Sequence, residues 1–217
     1  GFVLIPWVGK DGGLWLVIAF QFMVAFLALM QPEVGLQKKR WRRRWLVGML
    51  SAVLGVICLS YYPSWNRSVP SRGWYRNFQD IANALDRTSW LDAFWRGSAL
   101  LAQQRQGIEL AFYGDGIGGF TTVEKETTSL GRVEYALYNS GKPDSSSHGD
   151  RSTQTLSGHI PLLFHPDPEK VMVLGLASGM TSGEVLLYPV KQLDILEINE
   201  QVVNACRSFF TPWNNAC

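Results

Sequence analysis

Long uncharged apolar runs dominate the first third of the chain. Residues 14–30 form a run of 17 with Gln21 as its only polar interruption, and residues 45–62 form a second run of 18. A helix needs about 20 apolar residues to cross a bilayer, so each run predicts a transmembrane helix. A buried helix of a soluble protein is the alternative for either run alone, but two such runs close together favour a membrane region over residues 1–62.

The periodicity then changes from helical to strand-like. Apolar side chains recur at helical spacing in residues 63–107, which predicts a helical connector whose apolar faces pack against other surfaces. Residues 108–139 instead alternate in three segments, IELAFYGDG, FTTVEKETT and RVEYALYNSG, separated by glycine-containing turns. They predict three strands of a small antiparallel β-domain over residues 108–145. The stretch GKPDSSSHGD, residues 141–150, predicts a polar loop.

The clearest local pattern begins at residue 171. Residues 171–174 form an apolar run rich in β-branched side chains, which is typical of a strand covered on both faces. Gly175, Gly179 and Gly183 follow, and glycines allow a tight turn and a close approach of the backbone to a ligand.

Residues 193–196 predict a second strand, which ends at Glu197. The carboxyl ends of strands in a doubly wound fold face the ligand crevice, where an acidic side chain can accept both hydroxyls of a ribose. The pattern therefore predicts a partial Rossmann-type nucleoside-binding domain over residues 146–217. The alternative is a glycine-punctuated turn followed by a solvated Glu197.

Several motifs resemble one known family. They are YGDG (113–116), NSGKPDSS (139–146), TQ-x4-H-x-PLL-x-HP-x-P before the glycine strand, and LEINEQVVNACRSFF (196–210). Together they resemble the spermidine synthase (polyamine aminopropyltransferase) family, in the bacterial branch that fuses this enzyme behind transmembrane helices. The implied fold class is α/β: transmembrane helices, a small antiparallel β-domain, and the first half of a Rossmann-type domain like that of class I SAM-dependent transferases.

The resemblance also implies site residues. Glu197 would bind the ribose hydroxyls of decarboxylated S-adenosylmethionine or methylthioadenosine, and the turn from Gly175 to Gly179 would pass beneath this donor. Gln154 would face the donor site. Asp144 and Asp150 are candidates for binding the amine of a polyamine substrate.

The chain departs from the family pattern at informative positions. Ser178 belongs to the predicted donor site, but soluble members carry an aspartate there that faces the aminopropyl group, and a serine cannot pair with an ammonium. Thr153 stands where those members have tyrosine. The family's catalytic aspartate follows the third and fourth Rossmann strands, which would lie beyond Cys217. We therefore assign no catalytic residue and expect that the sequence is an excerpt of a longer membrane protein.

Composition excludes some functions. The net charge is only +2, and no basic stripe with interleaved aromatic residues follows the membrane region, so a nucleic acid partner is not expected. Cys58, Cys206 and Cys217 lack metal-ligand spacing, so no metal site is predicted, and a Cys206–Cys217 disulfide is left open. His159 and His165 are expected to cap and pack a helix.

Six lysines and arginines between residues 38 and 44 set the predicted orientation. Short basic loops stay cytoplasmic and contact anionic lipid, so residues 63–217 would lie on the periplasmic side of a bacterial inner membrane. Arg67, Arg72 and Arg76 weaken this bias, and a periplasmic domain conflicts with a cytosolic donor. Two hypotheses follow: a membrane-anchored spermidine synthase-like enzyme, or a non-catalytic structural subunit that packs against lipid and other membrane subunits.

Overall fold

The computed structural model divides the chain into two compact units, Gly1–Trp65 and Asn66–Cys217. The structure describes residues 4–30, 38–60, 67–71, 79, 82–83, 86, 88–103 and 107–215.

In its described part, the first unit contains the helices α1 (Leu4–Met30) and α2 (Lys38–Ser60). Within the described residues, one stretch is long and apolar enough to cross a membrane, Trp7–Ala28 in α1, with a mean hydropathy of 1.7. The apolar part of α2, Trp45–Ile57, is shorter. Of the two helices predicted to span a membrane, α1 alone has the required length and composition. A membrane span remains a prediction, because core helices of soluble proteins and signal sequences share these properties.

The basic segment before residue 45 belongs to the first turns of α2, not to a loop. Lysine and arginine are good helix formers, which explains why the helix extends through them. In the same unit, α2 approaches α1 at Gly55, where an added Cβ would lie 2.9 Å from the ring of Phe22.

Among its described residues, the second unit begins with the helices α3 (Ser68–Ser71) and α4 (Trp90–Gln103). Helix α4 agrees with the helical spacing predicted for the connector. The helical spacing predicted over residues 78–85 lies mostly outside the described residues.

A four-stranded antiparallel sheet follows, with its strands in chain order. The strands are β1 (Ile108–Gly116), β2 (Gly119–Thr127), β3 (Val133–Asn139) and β4 (Lys142–Ser146). The prediction of a loop at residues 141–150 was therefore wrong for β4. Ser140 and Gly141, with φ of 49° and 79°, form a two-residue hairpin turn that aligns this polar segment with β3.

The remainder alternates helices and strands. Its elements are α5 (Arg151–Phe164), β5 (Lys170–Leu174), α6 (Met180–Val185), β6 (Gln192–Leu196), α7 (Glu200–Phe209) and a 3₁₀ turn (Thr211–Trp213). β5 and β6 pair in parallel, as the strand–turn–helix–strand pattern predicted.

The main hydrophobic core lies between the antiparallel sheet and the helices α6 and α7. Val123 and Leu137 from the antiparallel sheet pack with Met180 of α6 and with Ala205 and Phe210 at α7. This packing places the middle and the carboxyl end of α7 against the antiparallel sheet.

The parallel pair is not covered on both faces among the described residues. Met172 and Leu174 are 59% and 74% exposed, so the prediction of a strand buried on both sides was wrong here. Among the described residues, β5 has β6 as its one strand partner, and exposed side chains alternate with partly buried ones along both strands.

Candidate functional site

The turn after β5 has an unusual backbone. Gly175, Ala177 and Gly179 have φ of 87°, 48° and 75°, in the left-handed region that glycine tolerates best. The Gly175 N–H donates to the Leu196 carbonyl at 2.8 Å, which continues the pairing of β5 with β6. A Cβ on Gly175 would meet nothing within 4 Å, so this side of the turn is open to a ligand.

Glu197 lies at the carboxyl end of β6, beside this turn. Its Oε2 accepts a hydrogen bond from the Leu176 N–H, and its Oε1 accepts one from the Asn199 N–H, both at 2.9 Å. A carboxylate has about four acceptor positions, so each oxygen can accept one further hydrogen bond. The half-buried carboxylate is thus fixed in orientation and able to bind a vicinal diol.

Gln154 and Ser178 are brought together, but inside the protein. The Ser178 hydroxyl is fully buried and donates to Gln154 Oε1, while Gln154 Nε2 donates to the Ser146 carbonyl at 3.2 Å. Thr181 Oγ1 donates to the Gln154 backbone carbonyl at 3.0 Å. These bonds fasten α5 to the glycine turn, and they engage the polar atoms that the sequence assigned to the donor.

Asp144 and Asp150 lie at the β4 edge, where they line a cleft of about 470 Å³. Asp144 accepts a hydrogen bond from Asn139 Nδ2 and lies 4.0 Å from Lys142 Nζ. Asp150 precedes α5, and its backbone N–H donates to Ser146 Oγ at 2.8 Å. Three more carboxylates in the described residues line the same cleft: Glu124, Glu126 and Glu134.

A hydrogen-bonded network between the antiparallel sheet and Glu197 was not predicted from the sequence. The Asn199 side chain donates to Thr121 Oγ1 at 2.9 Å, and this hydroxyl donates to Asn139 Oδ1 at 2.7 Å. Asn139 in turn donates to Asp144, so the network joins Asp144 to the backbone that holds Glu197. The position of Asn199 just before a helix was the one available sequence signal, because asparagine is a preferred N-cap.

The segment after α7 also reaches the turn. Asn214 Nδ2 donates to the Ser178 carbonyl at 2.6 Å and to the Phe210 carbonyl at 3.0 Å. Cys206 on α7 is buried and disulfide-bonded. The segment that follows α7 is therefore hydrogen-bonded to the backbone of the glycine turn.

Histidines hold the α5 side of the site. His159 Nδ1 lies 2.9 Å from Tyr188 Oη, and His159 Nε2 lies 3.0 Å from Glu184 Oε2. His165 is the C-cap of α5. The predicted capping and packing roles of the two histidines are confirmed.

Comparison with known proteins gives the family. Residues 151–216 match the model of the "Spermine/spermidine synthase domain". This part of the chain belongs to the spermidine synthase family. The predicted family is thereby confirmed.

The family relatives are longer than the matched segment. A polyamine aminopropyltransferase of Streptococcus uberis is 43% identical over 53 residues, which are 24% of this chain and 19% of the relative. One of Leptospira biflexa is 36% identical over 86 residues, 39% of this chain and 30% of the relative. A spermidine synthase structure from Thermotoga maritima superposes with a TM-score of 0.43 at 21% identity, covering 48% of this chain and 35% of that one.

Putrescine N-methyltransferase 2 of Nicotiana tabacum is a relative with a different name. It is 43% identical over 53 residues, which are 24% of this chain and 15% of the relative. The spermidine synthase-like segment thus also resembles a protein named for methyl transfer.

Proposed function

We propose that the spermidine synthase-like part of the chain binds a nucleoside of the S-adenosyl type, decarboxylated S-adenosylmethionine or methylthioadenosine. The observation that carries the proposal is Glu197, a carboxylate fixed by two backbone N–H groups beside the open face of Gly175. A carboxylate in this position can accept both ribose hydroxyls, and the turn leaves space for the nucleoside.

The acceptor in this proposal is a polyamine or diamine, the class of compound in the relatives' names. The reaction joins the amine nitrogen to the aminopropyl carbon, breaks the bond between that carbon and the sulfonium sulfur, and releases methylthioadenosine and a proton. The carboxylate-lined cleft at Asp144 and Asp150 supports amine binding, because clustered negative charge attracts a polycation. No described residue is assigned as the base.

Calorimetric titration of methylthioadenosine into the purified full chain tests the nucleoside site. We expect the heat of methylthioadenosine binding to saturate, and to do so also when putrescine is present. Titration that matches the buffer control would overturn the proposal.

The second candidate function is a non-catalytic subunit of a membrane assembly. Ser178 favours it, because the residue is neutral, fully buried and bonded to Gln154, so the turn offers no anionic partner to an aminopropyl ammonium. Trp90 and Trp95 of α4 favour it too, since both are 76% exposed, and exposed tryptophans are typical of binding surfaces. Product formed from decarboxylated S-adenosylmethionine and putrescine, above a control without protein, would exclude this function.

The proposal includes membrane anchoring through the first unit, with the second unit on the periplasmic side of a bacterial inner membrane. The apolar stretch Trp7–Ala28 supports anchoring, and the disulfide at Cys206 supports an oxidising compartment. Cysteine labelling of intact cells tests the orientation, with Ser129→Cys in the exposed β2–β3 turn and Gln37→Cys beside the basic segment as its control. Labelling of Gln37→Cys before lysis, with Ser129→Cys protected, would reverse the orientation.

A further inference from the structure

Asn199 has all of its polar groups engaged at the junction of three elements. Its Oδ1 accepts a hydrogen bond from the Gln201 N–H at 3.0 Å and so caps α7. Its Nδ2 donates to Thr121 Oγ1 of β2, and its backbone N–H donates to Glu197 Oε1, both at 2.9 Å. The position of the Asn199 backbone therefore determines where one oxygen of Glu197 is held.

Thr121 fixes Asn199 from the sheet. Its side chain is fully buried, and its hydroxyl accepts from Asn199 while donating to Asn139 Oδ1. A hydroxyl that both donates and accepts strengthens the bonds on either side of it. Because Thr121 belongs to a paired strand, it anchors Asn199 to the rigid sheet and not to a loop.

We propose that Asn199 and Thr121 are positioning residues that hold the Glu197 carboxylate in the orientation needed to bind two ribose hydroxyls. This inference rests on the proposed nucleoside site. A free glutamate side chain samples several rotamers, and ordering it on binding lowers affinity. The hydrogen bonds from Asn199 to Thr121 and to Glu197 order the carboxylate before the ligand binds, so binding does not carry this entropic cost.

The test compares methylthioadenosine with its 2′,3′-dideoxy analogue, which lacks the hydroxyls that Glu197 would accept. Thr121→Val keeps the shape of the side chain and removes the hydroxyl. We expect the dissociation constant for methylthioadenosine to rise about threefold to tenfold, the worth of one hydrogen bond, and that for the analogue to change about twofold or less. Asn199→Ser should give the same selective loss. Serine also caps a helix, but its side chain is too short to reach the Thr121 hydroxyl as the asparagine amide does.

Thr122→Val is the matched control. Thr122 neighbours Thr121 and is also fully buried, but its hydroxyl has no hydrogen-bond partner in the described part of the chain. Removing it should leave the dissociation constants for both nucleosides unchanged. Equal weakening of both nucleosides by Thr121→Val would show a general structural role and overturn the inference.

Two measured outcomes distinguish the positioning role of Thr121 from the existence of the nucleoside site. Unchanged methylthioadenosine affinity in Thr121→Val, together with weakened affinity in Glu197→Gln, would overturn the positioning role alone. Absence of methylthioadenosine binding to the unmodified chain would overturn both.

Discussion

Gly116 of β1 lies directly against Asn199 at the start of α7. A Cβ on residue 116 would lie 2.1 Å from Asn199 Oδ1, far closer than atoms can approach. Gly114 has the same relation to Gln201, whose Oε1 would lie 2.4 Å from an added Cβ. The glycines of the YGDG segment thus allow α7, and with it the backbone that holds Glu197, to approach the sheet.

Gly116→Ala should therefore destabilise the protein. The added methyl must displace Asn199, and overpacking of this kind costs about 1–3 kcal/mol in the free energy of unfolding. Chemical unfolding of the full chain in detergent measures this. Gly97→Ala in α4 is the control, since its Cβ meets nothing within 4 Å and alanine favours the helix. Equal stability of Gly116→Ala and the unmodified chain would contradict the close approach.

Ser178→Asp should not restore a family-like donor site. The Ser178 side chain is fully buried against Gln154, so an aspartate there would bury an uncompensated charge, at a cost of several kcal/mol. We expect a lower thermal midpoint and no gain in aminopropyl transfer, whereas Ser178→Ala should lose only about 1 kcal/mol with its hydrogen bond. A stable and newly active Ser178→Asp variant would show that the side chain faces the crevice.

Cys206 should resist thiol reagents until it is reduced. The residue is disulfide-bonded, and Cys217 is the partner that the sequence left open. Peptide mass spectrometry after alkylation in denaturant should find Cys206 unmodified without reductant and modified with it, and the linked peptide identifies the partner. Alkylation of Cys206 in the unreduced chain would contradict the disulfide.

Local pattern was sufficient for the elements around the glycine turn. The apolar run at residues 171–174 and the mainly apolar run at residues 193–196 correctly predicted a parallel pair with an acidic residue at its carboxyl end. Such runs are set by neighbouring residues, so a single sequence reveals them. The strand β4 was missed because KPDSS is polar and contains a proline, which is tolerated at a sheet edge but gives no strand pattern.

Contacts between distant segments could not be predicted from the sequence. Asn199 and Thr121 are 78 residues apart, and neither stands out in composition or periodicity. The burial of Ser178 was missed for a similar reason: its partner Gln154 lies on a different element, and a turn residue is ordinarily exposed. The family resemblance placed Ser178 and Gln154 near the donor nucleoside, but it could not give the direction of their side chains.

Calorimetric titration of methylthioadenosine into the full chain and its Glu197→Gln variant tests the nucleoside site most directly. The variant replaces a charged acceptor with a neutral amide, and hydrogen bonds to a charged group are worth about 1.5–3 kcal/mol, so affinity should fall about tenfold to a hundredfold. Asp194→Asn, which neutralises an exposed carboxylate on the same strand, should leave the affinity unchanged. Equal affinity of the unmodified chain and Glu197→Gln would contradict the assignment of Glu197 as the ribose-binding residue.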